Sequence, residues 1–389
     1  MTVPKSETTQ RIARLQHRLA DEGLDGALIQ YPIDIYYFSG TRQNGMLWIP
    51  ASGEPMLLVR KSFLRAVRES HIADTRPFPS SRELPALFSQ QAKRIGLTFD
   101  VLPLQYHAYY TSVLQGKEFV DISLINRELR AVKSLWEQER LRENGRRLAE
   151  VFAQIPSFFV PGMREIDFAA ELEYRLRKAD SEGNVRTRSF GMDMVGLTTS
   201  GVQAAVSGSF DGPATGAGIS AACPFGPSMA VIEPNTPILI DYAGIWNGYV
   251  VDITRIFVHG ELETELCRAF SVACDIEAWL AEHLRPGVVC EELYLHSLGM
   301  ARAAGLEDHF MGYPGEQARF VGHGVGLELD EFPVLAKGFR STLQVGQALA
   351  LEPKFIFPGK GVVGIENTWL VMPHGGEKLT TLADEVVHV

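Results

Sequence analysis

The first part of the chain alternates between helical and strand-like hydrophobic patterns. Apolar residues recur at helical spacing from Thr8 to Asp21, and Gly23 and Gly26 then end the helix before the apolar run 27–29. The alternation returns, with strands predicted at 46–49, 56–59 and 94–97 and helices at 61–70 and after 97. We therefore predict an α/β layer domain over about the first 125 residues.

The pattern changes near residue 130. Between Leu129 and Gly145 the chain is charged and helical, which we interpret as an exposed linking helix. Further helices are predicted at 134–159, 164–182 and 262–304, with strands and glycine-rich turns from Gly191 to Arg255 and over the last 70 residues. Because 389 residues exceed one ordinary core, we predict two domains, 1–130 and 131–389, the second of α+β class.

Composition excludes several kinds of partner. The chain has 47 acidic and 37 basic residues, a formal net charge of −10, and no basic stripe of the kind that nucleic acid requires. Its first ten residues are polar, and no window approaches the roughly 18 apolar residues of a membrane span. We expect a cytoplasmic protein with neither nucleic-acid nor membrane partners.

Two predicted hairpins each carry a pair of carboxylates. The apolar run 238–240 leads to Asp241, and Asn247-Gly248 then precedes a second apolar run that leads to Asp252. Asn-Gly between apolar runs is a strong hairpin signal, so the two aspartates should lie near each other. Glu352 and Glu366 are placed symmetrically about a turn at 358–361 in the same way.

His323 lies between the two pairs and is flanked by glycines that allow close backbone approach. Taken singly, each of these five residues is more typical of a turn or a cap. Four converging carboxylates would repel one another unless cations balanced them, so we predict two divalent metal ions. The oxygen-rich ligand set suits Mn, Co, Fe or Zn, with Mn favoured.

At these residues the chain resembles the pita-bread metallohydrolases, which include aminopeptidase P, prolidase, methionine aminopeptidase and creatinase. The motifs that carry the resemblance are Asp241-x10-Asp252 with Ile253-Thr254-Arg255, the string 322–328, Glu352-Pro353 and Ile365-Glu366. In the first domain, the string 37–40 (Tyr-Phe-Ser-Gly) resembles the creatinase-type N-terminal domain. The resemblance therefore covers nearly the whole chain.

The resemblance implies a pita-bread catalytic domain and a homodimer. It also implies a role for each ligand: Asp241 chelates one ion, Asp252 and Glu366 bridge both, and His323 with Glu352 binds the other. The implied reaction is hydrolysis of a peptide or amide bond, such as that before proline, with water activated by metal and Glu352 moving a proton.

Several departures from the family pattern leave the substrate open. Asp330 replaces a second histidine seven residues after His323, Lys354 replaces a glycine, Gly364 replaces a common arginine and Ala243 replaces a glycine. Asp330 could serve as a catalytic base in a non-peptide reaction, such as that of a metal-dependent C–S lyase of the dimethylsulfoniopropionate type, or could simply cap a turn. The third hypothesis for the function is a binding protein without enzymatic activity.

Overall fold

The computed structural model describes residues 2–88, 91–189 and 196–389. The chain forms two compact units, 1–130 and 131–389. The start of the strand region predicted from Gly191 lies outside the described residues. None of the described helices combines the length and the apolar stretch that crossing a bilayer requires.

The first unit contains a six-stranded sheet and five helices among its described residues. Its strands are β1 (Gly26–Ile29), β2 (Gly45–Pro50), β3 (Met56–Val59), β4 (Asp74–Pro77), β5 (Arg94–Leu97) and β6 (Glu118–Asp121). Its helices are α1 (Lys5–Asp21), α2 (Pro32–Ser39), α3 (Phe63–Glu69), α4 (Leu104–Val113) and α5 (Ser123–Ala131), with a 3-10 turn at Leu84–Leu87. The strand order is β4-β3-β2-β1-β5-β6, and β1, β5 and β6 run parallel.

Local sequence accounts for these elements. In α1, Ile12, Leu15 and Leu19 are buried at helical spacing, and Pro4, with extended backbone, is the N-cap residue before Lys5. All four residues of β1 are buried, as expected for a strand covered on both faces.

The second unit carries the long hairpins. Its strands are β7 (Leu197–Ser200), β8 (Ile238–Trp246), β9 (Tyr249–Val258), β10 (Phe320–Gly324), β11 (Glu331–Ala336), β12 (Ala348–Leu351), β13 (Lys354–Phe357), β14 (Gly361–Gly364), β15 (Glu366–Met372), β16 (Gly375–Lys378) and β17 (Val387–His388). Its helices are α6 (Leu135–Phe152), α7 (Glu165–Lys178), α8 (Gly201–Ala204), α9 (Thr264–His283) and α10 (Cys290–Ala303), with 3-10 turns at Ile155–Ser157 and Glu307–His309.

The main sheet of this unit has the order β11-β10-β12-β15-β9-β8-β7, with β16 beside β15 and β17 beside β9. Strands β13 and β14 form a separate hairpin. A hydrophobic core joins α9 and α10 to this hairpin and to the sheet, and includes Phe270, Leu280, Leu349, Phe355 and Val363. Burial of such side chains is the main source of stability for the unit.

Helix α6 differs from the exposed linking helix predicted from its charges. Its buried residues include Glu137 and Asn144, so the helix packs into the second unit. Asn144 Nδ2 donates to the carbonyl oxygens of Trp246 and Tyr249 at 3.0 and 2.8 Å, and the Tyr249 hydroxyl donates to Glu137 Oε1 at 2.9 Å. These hydrogen bonds allow polar side chains to be buried, which the charge pattern alone does not reveal.

Candidate metal centre

Five side chains predicted as metal ligands lie on five neighbouring strands of the second unit. The relevant part of the sheet order is β10-β12-β15-β9-β8. The five are His323 in β10, Glu352 directly after β12, Glu366 at the start of β15, Asp252 in β9 and Asp241 in β8. Strands that are distant in the chain therefore bring the whole set together.

Strand register explains why three of the carboxylates share one face. Thr254 pairs with Asp241 on one side and with Glu366 on the other, so the three residues form a row across the sheet. Asp252 lies two residues before Thr254 and therefore points to the same face. The predicted hairpin is present, but β8 continues past Asp241 to Trp246, so this aspartate lies within the strand and not at its end.

Close backbone approach around His323 requires glycine. A Cβ atom at Gly322 would lie 2.6 Å from the carbonyl oxygen of Ala350, and one at Gly324 would collide with the carbonyl of Phe332. The glycines on both sides of the histidine thus let β10 pack between β12 and β11.

The imidazole side of the centre can accept one metal ion. Ligand atoms of Asp252, His323 and Glu366 all lie within 4.8 Å of one another. His323 Nε2 is 3.5 Å from Glu352 Oε1 and 3.9 Å from Glu366 Oε1. Oxygen and imidazole donors converging at such distances fit a divalent cation.

The other side of the centre holds the ammonium group of Lys354. Its Nζ lies 2.8 Å from Glu352 Oε2, 2.8 Å from Glu366 Oε2 and 3.1 Å from Asp241 Oδ2. The Lys354 side chain is fully buried. A second ion shared by Asp241 and Glu366 would have to compete with this ammonium group, so the residues present do not fit a second ion while Lys354 lies there.

Electrostatics within the centre are strongly perturbed. Burial raises the pKa of Asp252 well above its ordinary value, and the charges of Glu366 and Asp241 raise it further. Burial also raises the pKa of Asp241, an effect that Lys354 partly opposes. Burial alone would lower the pKa of Lys354, but the attraction of Asp241, Glu352 and Glu366 outweighs it and raises this pKa well above the ordinary value. Cations are thus strongly favoured here.

Hydrogen bonds from neighbouring strands fix the ligands. Thr254 Oγ1 donates to Glu366 Oε2 at 2.8 Å, and the Asp252 backbone N–H donates to Thr368 Oγ1 at 2.8 Å. Behind them, the buried Arg255 donates to the backbone carbonyl of Glu366 at 3.0 Å. Such contacts orient ligand oxygens before any ion binds.

Asp330 lies at the edge of the same centre and anchors a neighbouring segment. Its Oδ1 accepts from the Arg188 N–H at 2.6 Å, and its Oδ2 accepts from the Ser189 N–H at 2.9 Å and the Ser189 hydroxyl at 2.6 Å. Both carboxylate oxygens therefore serve as acceptors for residues 188–189. These bonds join Asp330 to a segment about 140 residues earlier in the chain, and both hypotheses for Asp330, the turn cap and the catalytic base, stay predictions.

A cavity of about 260 Å³ opens onto the ligands. Apolar side chains form much of its wall, including Leu197, Phe210, Phe320, Leu329 and Val334. Asp241, Asp252, His323, Glu352 and Glu366 lie at one side of it, together with Asp330. A small, largely apolar cavity with a few convergent polar groups is typical of an enzyme site for a small substrate.

The fold and the donor set together define a metal-dependent enzyme. Comparison with known proteins gives the same class: residues 139–373 match the model of metallopeptidase family M24, and residues 11–132 match that of the creatinase/prolidase N-terminal domain. The chain belongs to metallopeptidase family M24. Membership implies divalent metal ions, and the prediction of a metal-dependent hydrolase is confirmed.

Relatives match along almost their whole length. An Xaa-Pro dipeptidase from Pyrococcus furiosus is 25% identical, with 97% of this chain and 99% of the relative covered. An uncharacterized peptidase of Bacillus subtilis, YqhT, is also 25% identical, with the same coverage. Among solved structures, the Xaa-Pro dipeptidase from Bacillus anthracis has a TM-score of 0.84 at 22% identity and covers 98% of this chain and 100% of its own. The predicted fold, an α/β N-terminal domain followed by an α+β pita-bread domain, is confirmed.

Lys354 differs from the family pattern in the sequence, but only the structure places it in the centre. The contacts that hold the loop after His323 are likewise not predicted from the sequence. Lys133 Nζ lies 2.9 Å from Glu331 Oε2, and Glu331 Oε1 accepts from the Leu327 N–H at 2.8 Å. The sequence signal for these contacts is that Glu331 and Lys354 each lie in an otherwise apolar strand. A charged residue in such a strand is seldom buried unless it is paired.

Proposed function

We propose that the chain hydrolyses small peptides at the bond before proline, using Asp241, Asp252, His323, Glu352 and Glu366 around bound metal. The observation that carries the proposal is the convergence of these five side chains from separate strands beside a cavity of about 260 Å³. The relatives named as Xaa-Pro dipeptidases support the choice of bond.

The chain's own residues have distinct roles in this proposal. A bound divalent cation supplies an acidified water molecule and polarises a carbonyl oxygen. Glu352 is the proposed group that moves a proton from water to the leaving nitrogen, and Lys354 orients its carboxylate by donating to Oε2 at 2.8 Å. The apolar wall, with Phe320, Leu329 and Val334, receives the proline ring and excludes water.

Charge in the cavity favours a substrate with a free amino terminus. Besides the five proposed ligands, the lining residues within the described ranges include two acids, Asp211 and Asp330, and neither lysine nor arginine. Carboxylates at such a position attract an ammonium group. We therefore propose that the substrate enters with its amino end toward these acids.

Manganese is the first candidate for the bound metal among Mn, Co, Fe and Zn. The proposed protein partner is a second copy of the chain, which gives a homodimer. The protein is proposed to act in the cytoplasm, where small peptides are the substrates. Metal identity is tested by reconstituting the metal-free protein with each ion, and the homodimer by light scattering of the purified protein. Activity with Co, Fe or Zn but not with Mn would contradict the choice of manganese. A monomer by light scattering would contradict the homodimer.

The test is turnover of Ala-Pro, Ala-Pro-Ala and their N-acetylated forms, with Ala-Ala as the reference for proline preference. We expect cleavage of at least one proline peptide, loss of cleavage on acetylation, and loss of more than about 100-fold in His323→Ala. His17→Ala is the matched control, because His17 is an exposed histidine of the first unit. Absence of cleavage by metal-loaded protein would overturn the proposal.

The alternative of a C–S lyase that uses Asp330 as its base is not favoured. A catalytic base needs an oxygen free to take a proton from the substrate. Both Asp330 oxygens already accept hydrogen bonds from residues 188–189, which hold the carboxylate against that segment.

A further inference from the structure

Glu352 and Glu366 present their two oxygens to opposite sides of the centre. Their Oε1 atoms face His323 Nε2, at 3.5 and 3.9 Å. Their Oε2 atoms face Lys354 Nζ, each at 2.8 Å. The pair therefore bridges two cation positions, of which the chain itself fills one.

Lys354 is built into its position by the strands around it. It begins β13 and pairs with Gly364 of β14. A Cβ atom at position 364 would lie 2.7 Å from Lys354 Cγ, so only glycine leaves room for the lysine side chain along this path. The side chain is fully buried, and its three carboxylate contacts match the three donors of an ammonium group.

We propose that the Lys354 ammonium group permanently replaces one of two metal ions, so that the chain binds a single divalent ion among Asp252, His323, Glu352 and Glu366. The inference rests on the ligand assignment of the proposed function and changes its stoichiometry. One divalent ion and one ammonium group together balance three of the four carboxylate charges.

Geometry prevents a second ion from sharing the lysine position. Glu366 Oε2 already accepts from Lys354 at 2.8 Å and from the Thr254 hydroxyl at 2.8 Å. A metal ion would have to lie about 2.0–2.2 Å from the same oxygen. The ammonium group already lies 2.8–3.1 Å from the oxygens of Asp241, Glu352 and Glu366 that would ligate such an ion, so the two cations cannot occupy this position together.

The experiment is metal stoichiometry of the full chain by elemental analysis after dialysis against excess Mn, and separately against excess Co. We expect one ion per chain in the wild type and two in Lys354→Gly, which opens the position. Lys360→Gly is the matched control, because Lys360 lies in the turn of the same hairpin with its side chain 39% exposed, and this variant should bind one ion. Titration calorimetry should give the same numbers.

Each outcome separates this inference from the proposed function. Two ions in the wild type would overturn the inference and leave the peptidase proposal intact. One ion in the wild type without peptide cleavage would overturn the proposed function and leave the inference standing. If Lys354→Gly does not fold, Lys354→Ala serves instead, and a folded variant that still binds one ion would refute the role of Lys354.

Discussion

Removing the Lys354 charge should destabilise the metal-free protein strongly. In Lys354→Met the side chain keeps a similar length, but three carboxylates lose the ammonium group that lies 2.8–3.1 Å from them. Breaking a buried ion pair by removing one partner costs about 3–5 kcal/mol, because the remaining charge stays buried without compensation. For a domain of this size, each kcal/mol lowers the melting temperature by about 2–4 °C, so we expect a loss of roughly 6 to 20 °C.

The assay is thermal unfolding in a chelating buffer, followed by near-ultraviolet circular dichroism. Lys360→Met is the matched control, because Lys360 makes exposed ion pairs with Glu263 and Glu265 that contribute at most about 1 kcal/mol. A melting temperature of Lys354→Met within about 2 °C of this control would refute the reasoning.

The loss of stability caused by Lys354→Met should become smaller as the pH falls. Burial raises the pKa of Asp241 and Asp252 in the folded protein. A carboxyl group whose folded pKa is raised contributes stability at low pH, which is lost as the pH rises through the folded pKa. Lys354 opposes this rise in both groups, so its removal should raise their folded pKa further. The difference in melting temperature between Lys354→Met and the control should therefore narrow as the pH falls from 7 toward about 4, the ordinary range of aspartate.

Two further predictions concern residues around the centre. Asp330→Asn should keep activity within about tenfold. It should lower the free energy of unfolding by about 1–3 kcal/mol, because an amide cannot accept all the hydrogen bonds from residues 188–189. A loss of activity of about 1,000-fold with unchanged stability would instead establish Asp330 as a catalytic base. Burial, with the nearby Asp384, raises the pKa of Glu277 from 4.5 to about 7, so stability should fall by up to about 3 kcal/mol between pH 4.5 and 7. Glu277→Gln should flatten this profile in denaturant titrations, and an unchanged slope would contradict the assignment.

Local sequence predicted the hairpins but not the arrangement of the strands. Asn247-Gly248 determines the β8–β9 turn, and the symmetry of Glu352 and Glu366 about Gly359 anticipates the pairing of the strands beside them. The sheet order β10-β12-β15-β9-β8 is a long-range property that turn chemistry does not encode. Helix α6 was misread for a related reason, because the partners of its buried polar groups lie about a hundred residues away in the chain.

The sequence predicts the need for cations in the centre but not the source of each one. Four converging carboxylates do require cations, and metal ions are the usual source. A lysine two residues after one ligand was available in the chain, yet its sequence position alone does not show whether its side chain points toward the ligands or away from them. The pairing of Lys354 with Gly364, together with full burial, settles that direction. A chain that supplies one cation from its own sequence needs one fewer from solution, which makes metal stoichiometry the most informative measurement on this protein.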